Sequence, residues 1–214
     1  GLLRWHATQT LVETVLGFAL AVATAAVFAT ILEFSRLARA ALLPVLIASQ
    51  TVPIVALAPL LVLWFGYGAL PKILVVALVC FFPMVIALVH GFAETEPDLV
   101  RLYRSFGASR LQIFRLVQVP TSLPVFFAGM RIAVTYSVIG AVFGEYVGAV
   151  RGLGIFLQTA KNSYRTDLVF SMIAVTAALS LLLYGAVLLL ERLTIPWANS
   201  APGAPTAPQA APRE

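Results

Sequence analysis

Two sets of charged residues in this sequence could do chemistry, and they sit in different settings. Glu13, Arg131 and Glu145 lie in or beside long apolar runs. An ion there costs about 2.5–3.5 kcal/mol at a bilayer centre, and less near the ends. Arg131 and Glu145 are fourteen positions apart, about 21 Å along one helix, so they do not pair directly. Arg131 is expected to snorkel or to pair with another helix. Glu145, beside Gly144 and Gly148, is a candidate for gating or substrate passage, and Glu13 is expected at the interface. The second set lies in Glu94–Pro120, ETEPDLVRLYRSFGASRLQIFRLVQVP. Its chemistry would be docking rather than catalysis.

Within that segment, Thr95 and Asp98 have the spacing of a helix start, with Pro97 suited to the first turn. Leu99, Leu102, Tyr103 and Phe106 then share one helical face. Gly107 interrupts the run. Ser109 and Gln112 form a second capping-box pattern, and Leu111, Phe114 and Val117 continue an apolar face to Pro120. The sequence predicts two short amphipathic helices joined at Gly107-Ala108 and surrounded by Arg101, Arg104, Arg110 and Arg115. Physics alone leaves three uses open: a partner-docking surface, an interfacial helix on anionic lipid, or a long solvated loop.

Motifs for covalent or metal chemistry are missing. The sequence has no G-x4-G-K-[ST] phosphate loop, so the chain is expected not to bind ATP. It has no H-E-x-x-H, C-x-x-C or G-x-S-x-G. Cys80 is alone within an apolar run and reads as a small buried hydrophobe. His6 and His90 are isolated and lack metal-ligand spacing.

The elements that must position these residues are membrane helices. Of 214 residues, 61% are hydrophobic and 11% charged, and the mean hydropathy is +0.97. A soluble domain carries roughly 25% charged residues, so lipid must cover most of this chain. Five apolar runs, at 11–32, 42–64, 73–92, 121–147 and 168–190, approach the ~20 residues needed to span a bilayer. In the first, Ala21, Ala25 and Ala29 recur every four residues, a spacing that lets helices approach closely. The second holds Pro44, Pro53 and Pro59 and is predicted to be kinked or broken. It closes on Trp64-Phe65-Gly66-Tyr67-Gly68, aromatics expected at an interface or lining an outer gate. The fourth carries Gly129, Ala133, Ser137 and Ala141, and also Gly140, Gly144 and Gly148, each set spaced by four. Those residues suit either tight packing within one subunit or the lining of a path or dimer seam. The Ala/Pro-rich stretch 198–214 reads as a disordered tail.

The formal charge of +5 comes from cations scattered between apolar runs, which excludes nucleic-acid binding. With Glu94–Val119 in the cytoplasm, that side holds Arg36, Arg39, Arg101, Arg104, Arg110, Arg115, Arg192 and Arg213. The other side holds Arg4, Lys72, Arg151, Lys161 and Arg165. Eight against five, with Arg131 inside a helix, favours that orientation. It puts the N-terminus outside and the C-terminus inside.

Gly107, nine residues, then Val117-Gln118-Val119-Pro120 resembles the G-x9-I-x-L-P core of the EAA loop. That loop marks permease subunits of binding-protein-dependent ABC importers. Residues 44–72 and 129–154 are similar to the subfamily that imports sulfonates, taurine, nitrate and thiamine-pyrimidine precursors. The resemblance runs from Leu11 to Trp197. One departure is Arg101-Leu102-Tyr103, where many members have Glu-Ala-Ala.

The resemblance implies an all-α polytopic membrane bundle in the bacterial inner membrane. Residues 1–197 would form the permease domain, with five membrane helices of the family's six and the first expected before Gly1. It implies a homodimer, a separate ATPase subunit on loop 94–119 that binds ATP and Mg, and an extracytoplasmic substrate-binding protein. The chain itself is expected to be neither an enzyme nor a cofactor carrier. The ATPase-coupling residues would be Leu99, Leu102, Tyr103, Ser105, Phe106, Gly107, Ala108, Ser109, Phe114 and Pro120. The translocation path would use Pro53, Pro59, Trp64, Ser137, Gly140, Gly144 and Glu145. Residues 48–91 and the stretch NSYRTDLVF look most like members assigned to thiamine-pyrimidine precursors or related heterocycles. The rival reading is an ion-gradient-driven secondary transporter, which should carry inverted repeats and midplane acids.

Overall fold

A computed structural model describes residues 2–197, all helix and connections with no strand among them. The order is α1 (Leu2–Phe34), α2 (Arg36–Ser49), α3 (Ile54–Phe65), α4 (Ala69–Ala93), α5 (Pro97–Ser105) and α6 (Arg110–Ile113). A π turn (Phe114–Gln118) leads into α7 (Val119–Tyr146), followed by α8 (Leu153–Asn162) and α9 (Thr166–Thr194). The tail expected from residue 198 lies outside the described residues.

Four stretches are long and apolar enough to cross a bilayer: α1, α4, the run from α6 through α7, and α9. They correspond to four of the five predicted runs. The fifth run is the α2–α3 pair, bent by 102°. The break falls at Gln50–Pro53, with Pro53 as the N-cap of α3. Pro44 and Pro59 sit inside their helices. Of the three prolines, only Pro53 lies at the break, where the preceding residue is held out of helical geometry.

Helix α4 is the centre of the bundle and packs most extensively on α7 and α1. Ala21, Ala25 and Ala29 of α1 are fully buried in the core shared with Val76, Cys80 and Met84 of α4. Small side chains at every fourth position bring the helix backbones close, where dispersion contacts hold them in lipid. On α7, Gly129 faces Pro83 and Ala87, Gly140 faces Val76 and Val79, and Gly144 faces Lys72. The spaced small residues of α7 thus form its seam with α4. The Cys80 thiol donates to the Ala133 carbonyl at 3.3 Å. Helices α2 and α9 lie at the edge: α2 buries no residue, and α9 buries only Met172 and Val187. Arg131 on α7 meets Glu191 on α9 at 3.6 Å, the second of the two outcomes expected of it.

Candidate functional site

At one end of the bundle, Glu94–Pro120 makes a closed helix–turn–helix. Helix α5 begins at Pro97 with Glu96 as N-cap and no side-chain cap. The predicted cap at Thr95 does not form: Thr95 is buried and its hydroxyl has no partner. Proline suits the first helical position because it lacks the N–H that would go unused there, and this moves the boundary one residue on. The C-terminus of α5 is a Schellman closure. Gly107 N–H donates to Arg104 O at 2.9 Å and Ala108 N–H to Tyr103 O at 3.0 Å. Gly107 has φ +79°, which an L side chain adopts only with strain. The predicted second capping box is complete: Gln112 N–H donates to Ser109 Oγ at 3.3 Å, and Ser109 N–H donates to Gln112 Oε1 at 2.7 Å.

The second helix is not free-standing, as the sequence suggested. It runs through the π turn directly into α7. Pro120 has no N–H for the carbonyl four residues back, and the wider turn lies immediately before it. Phe114 packs its ring on Phe34 and Phe92 at 5.0 and 5.3 Å, so it anchors the segment rather than presenting a docking face. Pro120, Leu99, Tyr103 and Ala108 are half-buried. Ser105 Oγ donates to Leu102 O. The outward apolar groups include Leu102, Leu111, Leu116 and Phe106, the last 80% exposed.

The opposite end holds a buried polar network built on Glu145. Thr10 Oγ1 donates to Glu145 Oε1 at 2.6 Å, and Gly154 N–H donates to Glu145 Oε2 at 2.5 Å. Leu153 N–H donates to Thr10 Oγ1 at 2.9 Å, and Gly152 N–H donates to His6 Nδ1 at 3.0 Å. Residues 152–154 are the N-cap and first turn of α8. A carboxylate there satisfies orphan amides and faces the positive end of the helix dipole. One turn along α1, Glu13 Oε1 meets Lys72 Nζ at 3.1 Å and accepts from Gln9 Nε2 at 2.6 Å. Glu13 and Glu145 are both 0% exposed. Glu13 is therefore buried inside the subunit. Lys72, counted above among outer-loop cations, is buried as its partner.

Between the α2–α3 break, α4 and α7 lies a cavity of about 660 Å³. Gln50, Val52, Phe82, Pro83, Ile132 and Tyr136 are among its lining, which includes no charged residue. Of the residues expected on the translocation path, none lines this cavity. Pro53, Pro59 and Trp64 are exposed on α3. Ser137, Gly140, Gly144 and Glu145 are buried within the subunit.

The family described as binding-protein-dependent transport system inner membrane component matches residues 15–195. The chain belongs to that family. This permease is 42% identical over 183 residues to a probable ABC transporter permease protein of Haemophilus influenzae, covering 85% of this chain and 75% of that protein. It is 36% identical over 192 residues to the formylaminopyrimidine transport permease protein ThiX of Halalkalibacterium halodurans, covering 90% and 77%. Its fold matches a chain of the MetNI methionine ABC transporter in an inward facing conformation. That match has TM-score 0.76 at 19% identity and covers 90% of this chain and 95% of that one.

The permease is thus a multi-pass inner-membrane transport subunit of an ABC importer, as the EAA-like loop implied. Sequence reasoning missed the links to Glu145. Thr10, His6 and Gly152 stand 135 to 146 positions from their partners, and spacing carries no signal of such contacts. The one available hint was an acid seven residues before the glycine pair 152 and 154, a short return that can bring a carboxylate onto a helix start.

Proposed function

We propose that two copies of this permease pair to form the path for a small uncharged heterocycle, and that Glu94–Pro120 docks on a separate ATPase subunit in the cytoplasm. The observation that carries the docking is the exposed tip of Leu102, Phe106 and Leu111 on a turn closed at both sides and continuous with α7. A rigid element joined to a membrane helix transmits a rigid-body shift, whereas a floppy loop absorbs it. Seven arginines at that end (Arg36, Arg39, Arg101, Arg104, Arg110, Arg115 and Arg192) support the cytoplasmic assignment. A soluble binding protein would deliver cargo at the α8 end, and ATP and Mg would reside on the ATPase. The permease then needs no cofactor and performs no hydrolysis.

The cargo class rests on the charge-free cavity. A sulfonate or nitrate would lose its hydration there with no cation to replace it. A neutral aromatic ring finds Phe82 and Tyr136 for stacking and Gln50 for hydrogen bonds. The similarity to a formylaminopyrimidine permease points the same way. The ion-gradient alternative relied on Glu145 as a free intramembrane acid, and that carboxylate is engaged in capping α8.

The test of the docking is Gly107→Pro in the intact transporter. Proline cannot adopt φ +79°, so the Schellman turn is lost while every membrane helix keeps its sequence. The variant should insert in the membrane, fail to retain the ATPase, and lose ATP-driven uptake. Normal uptake by that variant would refute the coupling role.

A further inference from the structure

A second cavity, of about 500 Å³, lies where the ends of α1 and α2 meet α5 and α6. Glu33, Arg36, Arg39, Arg104, Arg110 and Gln118 supply its polar lining. Glu33 is occupied: its carboxylate accepts from Gln118 at 2.9 Å, and its backbone carbonyl accepts from Arg110 at 2.8 Å. The Arg110 guanidinium also lies over the Phe34 ring at 4.9 Å. The side chains of Arg36, Arg39 and Arg104 have no ion pair or hydrogen bond among the described residues. Four guanidinium groups against one carboxylate leave three positive charges without a counter-ion among the described residues.

What lies next to the cavity indicates the shape of the missing anion. Helix α2 starts at the cavity with Arg36 and buries none of its residues. Leu37 is 81% exposed, and Val45 and Ile47 continue the uncovered apolar surface away from the arginines. A ligand that satisfies both features carries an anionic phosphate and a hydrocarbon tail. Arginine's planar fork matches phosphate oxygens two at a time. Basic pockets between membrane helices on the cytoplasmic side suit phospholipid head groups.

We propose that this cavity holds the head-group phosphate of an anionic phospholipid whose acyl chain lies along α2. The site is separate from the proposed ATPase face of α5. Val100 and Arg104 turn toward the cavity, whereas Leu102 and Phe106 are exposed. Positions two apart are about 200° apart around a helix, so α5 presents lipid and ATPase with opposite faces. The proposal takes only the cytoplasmic orientation from the preceding section.

The experiment places the intact transporter in nanodiscs of mixed phosphatidylglycerol and phosphatidylcholine and reads bound lipid by native mass spectrometry, without ATP or cargo. The wild type should retain phosphatidylglycerol selectively, and excess inorganic phosphate should not displace it. Arg36→Gln with Arg39→Gln should weaken that retention about 30-fold, from roughly fivefold per lost arginine near a membrane surface. Arg36→Lys with Arg39→Lys keeps the charge but loses the planar fork, so it should weaken retention severalfold, less than the glutamine pair, and serves if the glutamine variant does not assemble. Equal retention of the two lipids, or unchanged retention in the glutamine variant, overturns the proposal. Displacement by phosphate reduces the site to a free-anion site and overturns the lipid assignment. Loss of the ATPase with lipid retention unchanged identifies a protein contact instead, and also overturns it. Lipid retention needs no coupling, so the outcome for Gly107→Pro does not bear on it.

Discussion

At the α8 end, the polar groups around Glu145 are spent on the same chain. Thr10, Glu145, His6 and the first amides of α8 satisfy one another, and Lys72 meets Glu13 Oε1, leaving Glu13 Oε2 as the one acceptor of this network without a partner among the described residues. At the Glu94–Pro120 end, the backbone is closed just as tightly, but the side chains are left over. Phe106 and Leu102 face outward, and the side chains of Arg36, Arg39 and Arg104 lack partners among the described residues. The difference separates two uses of polarity in one membrane bundle. Buried and mutually satisfied polar groups fix a local structure. Exposed apolar groups and unpaired cations on a rigid backbone are surfaces prepared for something outside the chain.

The strongest way to break the self-satisfied end is to remove one half of its ion pair. Lys72→Met should leave the Glu13 carboxylate buried without its cation. That costs about 3–5 kcal/mol for a buried pair and should lower the thermal midpoint of the purified permease in detergent. Adding Glu13→Leu should restore most of the loss, because an apolar pair of similar volume is often neutral there. If Lys72→Met alone unfolds at the wild-type midpoint, the network is wet and the contrast between the ends fails.

A smaller effect is expected at the cap. Glu145→Ala removes the acceptor for Gly154 N–H, at about 1–3 kcal/mol for a buried group left unmade, while the Thr10 hydroxyl can still donate to His6 O at 3.3 Å. The loss should be local. Hydrogen exchange should quicken in residues 152–156 at the start of α8 while the α4 core stays protected. A uniform change across the bundle would mean that Glu145 supports the core rather than α8.

How much of this was legible in the sequence depends on the distance between partners. The turn at Gly107 and the box at Ser109 and Gln112 span three to five residues, and both formed as read. The apolar runs were legible because bilayer thickness sets their length. Thr95 was misread as a cap by one position, since Pro97 at the first helical site fixes the boundary more strongly than a hydroxyl does. The α7 glycines announced close approach without saying to what, and only the fold assigns α4 as the partner. Lys72 with Glu13 lies beyond sequence reading altogether: 59 positions separate them, and each alone looks like an interfacial charge.

The mildest test sharpens the comparison from the other side. Ser109→Ala deletes one half of the capping box, leaving Gln112 N–H without its acceptor while the Gln112 side chain can still reach Ser109 N–H. Such a cap contributes typically about 1 kcal/mol, less than either change at the α8 end. The segment is exposed here, so water can take over the freed amide, and the global midpoint should barely move. If this end is built to transmit motion, however, a frayed α6 should show in function before it shows in stability. ATP turnover should become partly uncoupled from uptake at an almost unchanged thermal midpoint. A drop in midpoint with coupling intact would reverse that ranking and make the capping box a structural fastening like those around Glu145.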